Sequence, residues 1–151
     1  MTPPAAPDAG LWAPFRPVRG RRSALGFAIA QAVLLVALAA VVPGGGWIDV
    51  AGFVGVAAGV GWVLLRFALL RADPRPDGLV VQNLIHRQEL RWEQVVSVRF
   101  GGGDPWVVLD LSDGDVLAVM AIQRADGAYG AAEARRLATL VAAGSRTPTN
   151  D

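Results

Sequence analysis

The sequence contains no cysteine, no lysine and a single histidine, His86, among its 151 residues. The absence of cysteine excludes disulfides, zinc–thiolate sites and thiol chemistry. All 14 basic residues are arginine, and 13 acidic residues leave a net charge of only +1. A general nucleic-acid-binding protein needs an excess of positive charge to neutralise phosphates. We therefore expect no nucleic-acid partner.

Two long hydrophobic runs occupy the first half of the chain. Residues 23–42 form 20 positions without a charge, and residues 50–70 form 21 positions with one charge, Arg66. A helix of about 20 apolar residues crosses the hydrocarbon core of a bilayer, and Pro43–Trp47 supplies a short break. The sequence predicts a transmembrane hairpin with spans at 23–42 and 50–70. For the first run, a cleaved signal peptide ending near Ala37–Ala39 is the alternative.

The arginines around these runs predict an orientation. They lie before the first run and at the end of the second, whereas Asp49 is the only charge between the runs. Because basic residues stay on the cytoplasmic side, we expect an integral plasma-membrane protein with both termini in the cytoplasm and membrane lipid around its spans. The orienting residues are Arg16, Arg19, Arg21, Arg22, Arg66 and Arg71.

Small residues recur at helical spacing inside both runs. Such residues let membrane helices approach closely, so that van der Waals contact holds them together. The first run carries Gly26 and Ala30, and the second carries Ala51, Gly55 and Gly59. We expect this face to pack the two spans of one chain against each other, and a seam between copies of the chain is the alternative.

The rest of the chain divides into two tails and one small domain. Residues 1–22 are rich in proline and arginine, which predicts a disordered tail, and residues 145–151 are predicted to be flexible. Residues 73–144 contain short β-like runs at close spacing, typical of strands, and in one of them Val96, Val98 and Phe100 alternate with Ser97 and Arg99. Strands are predicted at 79–83, 85–91, 96–100, 106–111 and 116–122, followed by an amphipathic helix ending near Gly144. The fold class is therefore α+β.

Four segments of this domain resemble a known family. They are Asp77–Asn83, Leu90–Val96 with the turn residue Trp92, Pro105–Trp106 and Ala121–Gly127. The chain resembles the small bacterial PH-like domain of the low-molecular-weight protein antigen 6 family, which two membrane spans often precede. The resemblance implies a bent antiparallel sheet closed by one C-terminal helix. A PH fold has six or seven strands, so residues 72–76 either supply a sixth strand or that strand is absent.

Residues that could carry out catalysis are few. His86 lies on a predicted surface hairpin without an obvious nucleophile or orienting partner. Asp110, Asp113 and Asp115 do not follow the calcium-loop pattern, and Asp113 belongs to an Asp-Gly turn signal. We expect no enzyme activity, no metal and no cofactor.

Two functions remain. The first is a membrane-anchored interaction or scaffold module that contacts itself or another membrane protein. The second is a sensor of lipid headgroups or anionic membrane surfaces, because phosphates bind through charge-assisted contacts with cationic side chains. The residues available for that contact are Arg75, Arg87, Arg91 and Arg99.

Overall fold

The computed structural model describes residues 10–41 and 46–145. The chain divides into two units that are described separately. The helical unit is Val18–Leu69, and the β-rich unit combines Met1–Pro17 with Leu70–Asp151. The β-rich unit is therefore built from two segments of sequence, with the helical unit inserted between them.

The helical unit consists of two long helices, α1 (Arg19–Val41) and α2 (Trp47–Ala68). Compared with the predicted spans, α1 starts four residues earlier and α2 is displaced toward the N-terminus. The carboxylate of Asp49 accepts a 3.0 Å hydrogen bond from the Gly46 amide, which caps the start of α2. The break at residues 43–45 lies outside the described residues.

The two helices pack through a different face from the predicted one. Gly26, Ala30, Ala51, Gly55 and Gly59 are all exposed. A Cβ atom built on any of the three glycines in this set would meet no atom within 4 Å. Because these positions are exposed, the expectation that this face joins the two spans of one chain is wrong. The spacing alone could not identify the packed face, since small residues also line other faces of both helices. The partly or fully buried positions include Ala24, Ala28, Gln31 and Leu35 of α1, and Phe53, Ala57, Gly61 and Leu64 of α2.

The β-rich unit contains two three-stranded antiparallel sheets closed by one helix, so the fold class is α+β as predicted. The sheet orders are β1-β2-β3 and β4-β5-β6. The strand β1 is the sixth strand that the sequence left open. The elements are β1 (Arg71–Arg75), β2 (Gly78–Gln82), β3 (Arg87–Arg91), β4 (Val95–Arg99), β5 (Trp106–Leu111), β6 (Val116–Gln123) and α3 (Ala128–Gly144).

Polar side chains connect the two sheets and the turn between them. The Asn83 side chain donates to the carbonyl of Ala118 and accepts from the amide of Met120, which joins the end of β2 to β6. The indole of the buried Trp92 donates to the carbonyl of Arg75 at 2.9 Å. Because all three contacts are to main-chain atoms, the two from Asn83 fix the backbone of one sheet relative to the other, and the one from Trp92 fixes the turn to the first sheet.

The N-terminal segment enters the core of the β-rich unit. Phe15 is fully buried and belongs to the same hydrophobic cluster as Ala72. Its amide donates to the carbonyl of Ala72 at 2.8 Å, and the amide of Ala72 donates back at 3.1 Å. The predicted disorder over residues 1–22 is therefore wrong for residues 10–17, whereas residues 1–9 lie outside the described residues.

Arg136 of α3 holds this segment in place. Its guanidinium lies 3.8 Å from the centroid of the Phe15 ring, and its Nη1 donates to the carbonyls of Gly10, Leu11 and Ala13 at 2.8–3.0 Å. Its Nε and Nη2 pair with Glu133, with a shortest distance of 2.6 Å, and both side chains are 15% exposed. One planar group thus satisfies a carboxylate, an aromatic face and three carbonyls, a geometry that arginine provides and lysine does not.

Candidate interaction surfaces

The groups proposed for chemistry do not converge. His86 is exposed in the loop between β2 and β3. Within residues 10–41 and 46–145, no three histidine or acidic side chains lie close enough to hold a metal ion. Asp113 accepts from the amide of Asp115 inside its turn, where Gly114 has a positive φ of 90°. The Asp113 carboxylate therefore has a local structural role in its turn.

Three of the four arginines predicted to contact an anionic membrane surface, Arg75, Arg87 and Arg91, lie in the sheet formed by β1, β2 and β3. Arg87 pairs with Glu89 at 2.9 Å and Arg91 pairs with Glu93 at 3.3 Å. Residues two apart on an extended chain point to the same side, which explains the Arg87–Glu89 pair within β3, whereas Glu93 lies in the helical turn Trp92–Gln94 that follows β3. Arg75 lines a shallow depression with Arg91, but Asp77 and Glu89 lie there as well. Positive and negative charges balance, so this depression is not a cationic pocket.

The fourth arginine, Arg99, belongs to a polar cluster on the second sheet. It contacts Asp110 of β5 with two nitrogens, at 2.7 and 2.9 Å, and the Ser97 hydroxyl donates to the same carboxylate. The hydrogen bonds from Arg99 and from Ser97 lower the pKa of Asp110 below its ordinary value. The hydrogen bond with Asp110 also raises the pKa of Arg99. The cluster joins strands β4 and β5.

The six arginines predicted to set the orientation lie at the two ends of the helical unit's sequence or next to them. Arg19, Arg21 and Arg22 are in the first turn of α1. Arg66 is in the last turn of α2, 5.8 Å from the centroid of the Trp62 ring. In the β-rich unit, Arg16 is exposed and Arg71 pairs with Asp73 at 3.2 Å.

The outer edge of β4 borders a groove of mixed polarity that the sequence did not predict. Residues 95–98, three valines and Ser97, line one side, and Ala138, Val141, Ala142 and Ser145 line the other. The register of β4 and β5 shifts between Val95 and Ser97. Because a bulge re-aims the side chains around it, Val95 is buried and Val96 is 67% exposed. The alternation of Val96 with Ser97 therefore does not indicate which side of β4 faces the core.

The β4 edge differs from the other three strand edges. Phe15 bridges to β1, the Asn83 side chain binds the main chain of β6, and charged side chains cover β3. Charged residues, bulges and covering segments are common protections of sheet edges. The β4 edge has such a bulge between Val95 and Ser97, and it exposes Val96 beside the groove.

Residues 70–139 match the family model of the bacterial PH domain. This match covers all six strands and most of α3, and the helical unit lies outside it. An uncharacterized protein of Mycobacterium bovis and uncharacterized proteins from two strains of Mycobacterium tuberculosis are each 41% identical over 71 residues. These alignments cover 44% of this chain and 46% of each relative, so the chain spans less than half the length of the curated relatives it matches. No solved structure matches the chain.

Proposed function

We propose that this protein is a membrane-anchored interaction module without catalytic activity. The helical unit supports the anchor. Both helices are long and apolar enough to cross a bilayer, and only 6% of the apolar window in α1 and none in α2 is buried. A core helix of a soluble protein would be mostly buried, and a signal sequence would account for the first helix alone. The exposed apolar surface of α2 therefore favours an integral membrane protein.

The charge distribution supports an orientation with both termini in the cytoplasm of a plasma-membrane protein. Arg19, Arg21, Arg22 and Arg66 lie in the turns next to the β-rich segments of the chain, and Asp49 lies at the start of α2. Basic residues are retained on the cytoplasmic side, so the β-rich unit follows them there. Carbonate extraction and protease protection of intact cells test the anchor and the side separately.

The observation that carries the interaction function is the groove between β4 and α3. The outer main-chain edge of β4 can hydrogen-bond an added strand, while the valines and alanines of the groove contact small apolar side chains and Ser97 and Ser145 can hydrogen-bond polar ones. Recognition by strand addition uses these two features together. The partner class that fits is an extended polypeptide segment, from another membrane protein or from a second copy of this chain.

Photo-crosslinking in native membranes tests this assignment. We replace Val96 with a photo-reactive benzoylphenylalanine and identify the adducts by mass spectrometry. Ile85 is the matched control position, because it is also 67% exposed but lies in a loop away from β4. The expected result is one dominant adduct from position 96 that maps to an extended segment, with none from position 85. Equal adducts from both positions, or no adduct at position 96, would contradict the assignment.

Self-association is part of the same proposal. The outward faces of α1 and α2 carry the small residues Gly26, Ala30, Ala51, Gly55 and Gly59, which remain available to a second hairpin. Adducts of about twice the 15.8 kDa chain mass would identify a second copy as the partner. Gly59→Leu would then reduce that adduct if the helices contribute to the seam.

A sensor of anionic headgroups is supported less well. Arg87, Arg91 and Arg99 each have a carboxylate partner, although exposed ion pairs are weak and can exchange partners. Arg75 completes the proposed set. Hydrogen exchange of the full chain in neutral and anionic nanodiscs distinguishes the two functions. A sensor predicts slower exchange in β3 on anionic lipid, whereas equal exchange would exclude it.

A further inference from the structure

A groove lies between α1 and α2, beside the arginines of the first turn. Its walls are Ala24 and Ala28 on α1, and Gly61, Leu64 and Ala68 on α2. A Cβ atom built on Gly61 would meet no atom within 4 Å, so the helices leave space at this point. Residues 61–68 extend over about 10 Å of helix at the usual rise per residue. The groove is therefore apolar, elongated and unfilled by the described side chains.

One cation, Arg21, also lines this groove. Its side chain has no carboxylate partner in the described part of the chain. Within the helical unit the only acidic residue is Asp49, which starts α2, whereas the groove involves the last two turns of that helix. The site thus presents an apolar trough with an uncompensated guanidinium, which matches a molecule with an acyl chain and an anionic group.

We propose that this groove binds one anionic phospholipid, with an acyl chain along Gly61 and Leu64 and its phosphate at Arg21. The proposal rests on the membrane insertion assigned above, because the arginines then lie at headgroup depth. Phosphate accepts charge-assisted hydrogen bonds from a guanidinium, and basic pockets between membrane helices on the cytoplasmic side suit anionic headgroups. All the residues that line the groove belong to the helical unit, and none is one of the four arginines proposed for the sensor.

Native mass spectrometry of the full chain in detergent micelles tests this site. Phosphatidylglycerol and phosphatidylcholine with identical acyl chains are added in turn, and glycerol phosphate serves as a competitor without acyl chains. The expected result is one phosphatidylglycerol per chain, bound in preference to phosphatidylcholine and not displaced by glycerol phosphate. Equal binding of both lipids, or displacement by glycerol phosphate, would overturn the proposal.

Two pairs of variants locate the lipid. Arg21→Gln should reduce the preference for phosphatidylglycerol about five-fold, the equivalent of about 1 kcal/mol for one arginine near anionic headgroups. The adjacent Arg22→Gln should change it by less than about two-fold, since Arg22 does not line the groove. Gly61→Leu should fill the groove and reduce binding of both lipids about ten-fold or more. Gly55→Leu adds the same side chain on the outward face and should leave binding unchanged.

The remaining outcomes are also decisive. Equal losses in the two arginine variants would indicate general charge attraction and overturn the specific site. Equal losses in the two leucine variants would do the same. A dimer mass that disappears with Gly61→Leu would assign the groove to a second copy. Failure here leaves the interaction function untouched, because that function is measured at Val96 in the β-rich unit.

Discussion

Replacing Phe15 by alanine should destabilise a domain whose family match begins at residue 70. Phe15 is fully buried, pairs with Ala72 through two main-chain hydrogen bonds and lies against the Arg136 guanidinium. Trp12 belongs to the same segment but is 39% exposed. These two aromatic residues therefore form a matched pair for measuring how much the segment contributes to the core.

The expected magnitude follows from burial. A Phe→Ala change in a protein core costs about 3–5 kcal/mol, and loss of a cation–π contact adds up to about 2 kcal/mol. In the variant, residues 10–17 can separate from the domain and relieve part of this cost. We therefore expect the free energy of unfolding of the β-rich unit to fall by about 4 kcal/mol. Opening of the core should become about 1,000-fold more frequent, because each 1.4 kcal/mol changes an equilibrium ten-fold.

Hydrogen exchange of the full chain in detergent micelles measures this effect. The most protected amides of β5 and α3 report global opening of the β-rich unit, and they should exchange about 1,000-fold faster in Phe15→Ala. Trp12→Ala should change them by less than about five-fold, as expected for a partly exposed site. If both variants exchange at the same rate as the unmodified chain, Phe15 is not part of the stabilising core and the reasoning is refuted.

Three further variants test individual contacts in the β-rich unit by the same exchange measurement or by urea unfolding. Arg136→Lys should cost about 2 kcal/mol or more, because lysine cannot serve the half-buried Glu133 and three carbonyls together; unchanged stability would contradict this. Gly130→Ala should cost about 1–3 kcal/mol, since its Cβ would overlap a carbonyl of the preceding strand, whereas Gly102→Ala has open space and should be neutral. The pKa of Asp110 is lower in the folded than in the unfolded protein, so ionised Asp110 stabilises the fold. This stabilisation is fully present above the unfolded pKa of about 4 and is lost as the pH falls through the folded pKa. Asp110→Asn should therefore show a weaker acid dependence of stability in that window, and parallel curves for the two proteins would refute the assignment.

The features that sequence predicted well are local. The hydrophobic runs indicated both helices because their length alone fixes the type of element. The strands from β2 onward followed from short alternating runs, and the Asp113–Gly114 turn connects β5 and β6 with Gly114 at a positive φ. Each of these signals lies within about a dozen residues, the range over which backbone preferences act.

The features that sequence missed depend on distant partners or on one irregular residue. Nothing near Phe15 indicates that Ala72 will pair with it, because both long helices separate them in sequence. A bulge in β4 moved Val96 to the surface, and alternation cannot show a bulge that lacks a glycine or proline signal. On the helices, small residues occupy several faces, so spacing alone could not identify the face that packs.

The burial of Phe15 also bears on the signal-peptide interpretation. Cleavage after Ala39 would separate residues 10–17 from the domain, yet Phe15 fills its core and Arg136 binds three carbonyls of that segment. The cleaved domain would retain a gap beside Ala72 and a guanidinium whose acceptors were gone, two defects that each cost several kcal/mol. A sequence selected for cleavage has no physical reason to build its domain around the discarded part. The structure thus argues that the chain on both sides of the hairpin works as one folded unit, and that the hairpin is an insertion within that unit.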